Sequence, residues 1–176
     1  VDLNVFEHFT PTLPASYKST PFVLLANIAP DLQHHVLDQV VKPRFVIADT
    51  MDLWINIAKE SLIRLLGRVD MLILNDTELS HLRNHFGFTL EKIFGLGTKY
   101  VLETKGADGS VLHEANKKTF VKSLKVKKVV DPTGAGDAFR AGLISGLAGG
   151  KSIVESMKIG SKMGAKCVQS KGGQGY

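Results

Sequence analysis

"VVDPTGAGDAF", residues 129–139, runs an apolar stretch into three chain breakers, Pro132, Gly134 and Gly136, and then into an acid, Asp137. Apolar residues at helical spacing follow. The pattern reads as a strand, a glycine turn and a helix, with Asp137 in the first helical turn. Gly134 and Gly136 carry no side chain, so a ligand can come close to the backbone. Amides at the start of a helix lack internal acceptors, and with the helix dipole they make an anion site. A carboxylate beside such a site suits a base that takes a proton from a hydroxyl attacking phosphorus. A plain glycine turn, with Asp137 stabilising the helix N-terminus, is the other reading of the same residues. The pattern GxxxxGK[ST] of an ordinary P-loop is absent from the chain.

Outward from this stretch, strands and helices alternate. "PFVLLANI" (21–28), "RFVIAD" (44–49), "MLILN" (71–75) and "KYVLET" (99–104) are apolar runs of strand length. Between them "DLQHHVLDQVV" (31–41), "LWINIAKESLIRLL" (53–66) and "TELSHLRNHF" (77–86) have helical spacing. "GSVLHE" (109–114) and "KTFVKS" (118–123) read as a hairpin, and "KKVVD" (127–131) as a further strand. Two helices, about 135–148 and 152–169, close the chain, the second opening on a Ser152-to-Glu155 capping box. Alternation predicts parallel crossovers and a layered α/β fold, in one domain over residues 1–176. Ligands of such sheets lie beyond the carboxyl ends of the strands. The residues there are Asn27, Asp49, Thr50, Asn75 to Glu78, Thr104 to Gly109, and Asp131 to Asp137.

Composition narrows the class. The chain has 176 residues, 44% of them apolar, enough for one core. Its apolar runs fall short of the roughly 20 residues that span a bilayer, so no membrane partner is expected. The start, "VDLNVFEHF", lacks the features of a signal peptide and, opening on Val1, reads as a domain boundary. Cys167, the single cysteine, favours a reducing, cytoplasmic setting and is expected to pack, as is Trp54. A net charge of +5 suits an anionic ligand weakly. "NKKTFVKSLKVKK" (116–128) reads as a lysine-protected edge rather than a nucleic-acid patch. His34 and His35 point to different faces of a helix. His81 and His85 have metal-ligand spacing but no third ligand nearby, and read as a solvated face.

Three further stretches each have two readings. "NDTE" has the spacing of a capping box, Asn75 to Glu78. In "ETKGADG" Gly106 and Gly109 suit a turn, and Lys105 an exposed lysine. Asp131 suits a strand-end cap.

"DPTGAGDAF" resembles the C-terminal signature of the ribokinase-like (PfkB) carbohydrate kinases. The resemblance implies an α/β/α ribokinase-like fold with a mostly parallel central sheet. It implies an ATP-dependent phosphotransferase acting on a sugar or sugar-like alcohol, with Asp137 as catalytic base. The amides of Gly134, Ala135 and Gly136 would stabilise the transferring phosphoryl group. Asn75 and Glu78 match the family's Asn-x-x-Glu, which serves Mg²⁺ through water. Thr104, Lys105, Gly106 and Gly109 match its nucleotide-phosphate loop. Many members bind K⁺ through the residues matching Asp131 and Thr133, with a C-terminal loop that here is "QSKGGQG". That loop and the helix near Ser161 would border the adenine. The family's N-terminal segment, with its sugar site and lid, has no counterpart here, so the chain resembles the C-terminal, nucleotide-binding portion. Without that segment an edge near residues 21–28 would be uncovered, and self-association into a homodimer is expected. A nucleoside kinase, and a non-catalytic nucleotide-binding or oligomerisation module, stay open as alternatives.

Overall fold

The computed structural model describes residues 9–173. Six strands form one sheet in chain order: β1 (Phe22–Leu25), β2 (Phe45–Asp49), β3 (Met71–Asn75), β4 (Tyr100–Thr104), β5 (Ser110–Glu114) and β6 (Lys117–Val121). The first four are parallel, whereas β5 and β6 fold back antiparallel. The helices are α1 (Pro30–Leu37), α2 (Asp52–Ile57), α3 (Lys59–Leu66), α4 (Asp76–Phe86), α5 (Leu90–Leu96), α6 (Ala135–Ala148) and α7 (Ile153–Cys167).

Side-chain alternation along the strands sorts the helices into two layers. Val23, Leu25, Val46, Ala48, Leu72, Leu74 and Val101 face a core shared with α1 to α5. Ile47, Met71, Ile73, Leu102 and Leu112 face the opposite way, into a core closed by α6 and α7. This is why β3 reads as an unbroken apolar run: Met71 to Leu74 are all fully buried, because helices cover both faces. The architecture is thus a layered α/β/α fold with a mixed, mostly parallel sheet. Both sheet edges are strands of this chain, β1 and β6. β6 carries Lys117 and Lys118 exposed, in keeping with a lysine-guarded edge.

Some expectations need correction. "KKVVD" is not a strand. Val129 and Val130 are half exposed, and the amides of Val130 and Asp131 donate to the Val168 carbonyl at the end of α7. The segment pairs with that chain end instead of extending the sheet. The stretch 53–66 is two helices, broken at Ala58, which ends α2 and starts α3 with φ −127° and ψ 33°. Helix α5, capped by the Thr89 hydroxyl, was not singled out by periodicity. Parts of "VDLNVFEHF" and "QSKGGQG", residues 1–8 and 174–175, lie outside the described residues. Elsewhere the side chains fall as expected. Trp54 is buried and donates from Nε1 to Asn27, and Cys167 is fully buried. His34 and His35 turn apart, toward the carbonyls of Ser61 and Pro11. His81 departs from the expected solvated face: it is half-buried and pairs with Asp52, and the side chain of His85 lies outside the described residues.

Helices α6 and α7 pack backbone to backbone. A Cβ on Gly160 would lie 2.7 Å from the Phe139 carbonyl oxygen, and one on Gly142 would lie 2.8 Å from the Gly160 Cα. Backbone cannot yield as a side chain can. Gly160→Ala should therefore destabilise the protein by about 1–3 kcal/mol, the usual cost of overpacking. Urea titration measures it, with exposed Gly95→Ala as the control, since a Cβ there meets nothing within 4 Å.

Candidate active site

The carboxyl ends of the parallel strands carry most of the predicted site. At the end of β3, Asn75 caps α4: its Oδ1 accepts from the Glu78 amide at 2.8 Å, and Glu78 Oε2 accepts from the Asn75 amide at 2.7 Å. The capping box read from the sequence is therefore real, and it fixes the Glu78 carboxylate at the strand end. In-register pairing sets Asn75 beside Thr104 at the end of β4. The Asn-x-x-Glu and Thr-Lys-Gly stretches are thus neighbours.

After Thr104 the chain makes one 3-10 turn, Gly106–Asp108, closed by the Lys105 amide donating to the Gly109 carbonyl at 2.8 Å. Gly109 has φ +112°, and a Cβ there would collide with the Val121 carbonyl, so glycine is required. Lys105 is not a free lysine. Its Nζ lies 2.7 Å from Glu103 Oε1, and the other oxygen of Glu103 lies 2.8 Å from His113 Nε2. The hydrogen bond that Lys105 donates to Glu103, and the charge of that carboxylate, raise the Lys105 ammonium above its ordinary value.

At the "GAGD" turn, Gly134 takes φ +78° as the N-cap of α6, with its Cα packed against Gly173. The Ala135 amide donates to the Pro132 carbonyl at 3.2 Å, so this predicted anion-hole donor is already engaged. Among the described residues the amides of Gly134, Gly136 and Asp137 have no acceptor. Asp137 is exposed in the first turn of α6. Asp131 has both oxygens in use, one accepting from the Thr133 amide and one from the Gly172 amide, each at 2.9 Å. The Thr133 carbonyl faces the Cys167 thiol. These acceptors tie the turn to the chain after α7.

Two residues that the motif reading passed over hold the site together. Arg140, one helical turn beyond Asp137, donates from Nη2 to Asp49 Oδ1 at 2.8 Å at the end of β2. Asp49 is 3% exposed. A Cβ on Gly136 would meet Arg140 Nη1 at 2.5 Å, so the guanidinium lies directly against the turn. Helical spacing from Asp137 puts Arg140 on the same face and was the available clue. Burial pushes the Asp49 carboxyl up, Arg140 pulls it back in part, and the charge of Asp137 adds to the rise. Burial likewise raises Glu78, with Asp49 and Asp52 adding to it against the Asn75 amide and Arg140. Thr50 Oγ1 and Arg140 Nε are buried without a protein partner, as atoms that take a water or a ligand are. A separate cavity of about 480 Å³ opens between β6 and α7, lined by Phe120, Lys122, Leu124, Val154, Lys158 and Ser161.

A glycine turn, the N-terminus of α6 and the exposed Asp137 thus follow one another, tied to the end of β2 through Arg140. The structure superposes on that of the nucleoside kinase of Methanocaldococcus jannaschii, an archaeal member of the ribokinase family. The TM-score is 0.83 at 26% identity, over 96% of this chain and 55% of that one. In sequence, residues 35–175 match the model of the pfkB family carbohydrate kinases, and the chain belongs to that family. The same M. jannaschii nucleoside kinase is 32% identical over 117 residues, 66% of this chain and 38% of that protein. A ribokinase of Arabidopsis thaliana is 37% identical over 116 residues, 61% of this chain and 31% of that protein. The chain therefore spans about a third of the length of these curated relatives and about half of the solved one.

Arg140→Leu should leave Asp49 as an unpaired buried charge and cost about 3–5 kcal/mol at neutral pH. Without Arg140 the folded-state value of Asp49 climbs further above its unfolded one. The folded protein then holds a proton that the unfolded chain releases, so the deficit grows as pH rises and shrinks as pH falls. Denaturant unfolding at pH 5 and pH 7.5 checks the sign: a deficit that stays constant between them removes Asp49 as its cause.

Proposed function

We propose that the protein is an ATP-dependent kinase that moves the γ-phosphate of ATP to a hydroxyl of a sugar, nucleoside or similar small alcohol. The observation that carries this reading is the exposed Asp137 in the first turn of α6, beside the unpaired amides of Gly136 and its own residue. Family membership supports it, and so do the activities named for the two relatives, one a nucleoside kinase and one a ribokinase.

In this reading Asp137 accepts the proton of the attacking hydroxyl, which approaches the γ-phosphate in line. The amides of Gly134, Gly136 and Asp137 receive the charge that develops on the transferring group, aided by the dipole of α6. Lys105, with Thr104 and the Gly106-to-Gly109 turn, holds the nucleotide phosphates. Glu78 has one oxygen engaged by the capping box and the other available, which fits a carboxylate serving Mg²⁺ through water together with Asn75. The ion supplies charge neutralisation on the phosphates when bound. The cavity between β6 and α7 is apolar at Phe120, Leu124 and Val154, with Ser161 as a polar group, and suits the adenine. For K⁺, Asp131 and the Thr133 carbonyl are the residues in position, though their present partners would have to yield.

Asp137→Asn in the full-length protein should lower kcat by about 10²–10⁴, the usual share of a general base. Nucleotide affinity should hold, because the amides and Lys105 are untouched. Steady-state assays across pentoses, hexoses and nucleosides, with nucleotide titration alongside, test both halves. Near-normal turnover in the variant would reduce Asp137 to a helix-terminal charge and sink the assignment.

A further inference from the structure

Arg140 carries more hydrogen-bonding capacity than its ion pair with Asp49 uses. A guanidinium has five N–H donors and keeps its charge at every working pH. Nη2 donates to Asp49 Oδ1 at 2.8 Å, and the same oxygen accepts from the Thr50 amide at 2.9 Å. Asp49 is thus fixed at the end of β2 and holds the guanidinium by one nitrogen. Among the described residues Nη1 and Nε have no acceptor, and Nε is buried. Only 14% of the side chain is exposed. Charged donors so placed are costly to leave unmade.

The surroundings of Nη1 say what it can meet. It lies directly against the turn, 2.5 Å from where a Cβ on Gly136 would stand. The amides of Gly134, Gly136 and Asp137 beside it have no acceptor either. Arg140 pairs with Asp49 and not with Asp137, so the acid of the turn is left free. The same guanidinium charge favours the Glu78 carboxylate at the end of β3. In the proposed reaction the γ-phosphate stands between Asp137, the turn amides and an ion served by Glu78. That place adjoins the unused side of the guanidinium. An oxygen of the γ-phosphate there gives Nη1 the acceptor it lacks, and a charge-assisted contact of this kind is strong. Asp49 need not be released, because Nη2 keeps it. We infer that Arg140 is a further phosphate-binding residue, whose Nη1 donates to the γ-phosphate while Nη2 holds Asp49, so that it helps the site tell a nucleoside triphosphate from a diphosphate. The inference rests on the proposed kinase reading and adds a selectivity that the turn amides and Lys105 do not by themselves supply.

Two variants separate a phosphate contact from the ion pair. Asp49→Asn removes the carboxylate and leaves Arg140 in place, with an amide oxygen still able to accept from it. Asp49→Asn combined with Arg140→Met removes the guanidinium without stranding a buried carboxylate. Calorimetric titration of the full-length proteins with ADP and with the non-hydrolysable triphosphate AMP-PNP, each with Mg²⁺, measures both affinities. Relative to Asp49→Asn, the double variant should lose about 10- to 100-fold in AMP-PNP affinity, the weight of a hydrogen bond to a charged group, and keep its ADP affinity. A merely structural role for Arg140 predicts equal losses for the two nucleotides, or no difference between the variants. Either result overturns the inference and leaves the proposed function standing. Should the double variant not fold, the guanidinium signals of Arg140 in wild type give the same reading by NMR. They should shift on adding AMP-PNP and not on adding ADP, and equal shifts overturn the inference. Wild type that binds neither nucleotide overturns the proposed function itself.

Discussion

The ion pair between Arg140 and Asp49 joins the two parts from which the site is made. Asp137 and the free amides belong to α6, while Glu78, Thr104 and Lys105 belong to the sheet's carboxyl edge. Arg140 spans the gap, one turn below Asp137, and ends on a carboxylate that burial alone would discharge. A buried pair of this kind is weak evidence for net stability, since desolvation opposes the attraction. Its value here is geometric. It sets the first turn of α6 against β2, and its guanidinium lies directly against Gly136, where a Cβ would displace it.

Glycine packing fixes the remaining freedom of α6. Gly142 and Gly160 let α6 and α7 approach until backbone touches backbone, so the helices cannot slide without collision. The segment after α7 then returns to the turn, where Gly173 packs on Gly134 and the Gly172 amide reaches Asp131. The "GAGD" turn is therefore held from three sides: by the sheet through Arg140, by α7 through its glycines, and by the chain after α7 through Asp131. In the proposed function the turn needs this rigidity, because amides that must reorganise during the reaction stabilise little.

Local features were legible in the sequence. The β3 boundaries, the Asn75–Glu78 capping box and the Ser152–Glu155 capping box follow from patterns a few residues long, and the structure contains each of them. What escaped depends on partners far along the chain. Asp49 and Arg140 are 91 residues apart, and nothing local to either announces the other. Glu103 and His113 meet only through the register of an antiparallel pair. "KKVVD" has strand composition, but sheet membership requires a free edge in reach, and its amides found Val168 instead. Ala58 breaks a helix without any breaker residue, so propensity gave no warning.

The electrostatics of the site explain why its parts stand as they do. Asp49 feels the charge of Asp137, Glu78 feels that of Asp49, and Arg140 is the cation that acts on both of these buried carboxyls. Across the strand ends, Lys105 is committed to Glu103. Both cations are thus held by carboxylates. In the proposed kinase reading, phosphates entering here would add negative charge beside carboxyls that burial already disfavours as anions, and a cation carried in with the nucleotide would offset it.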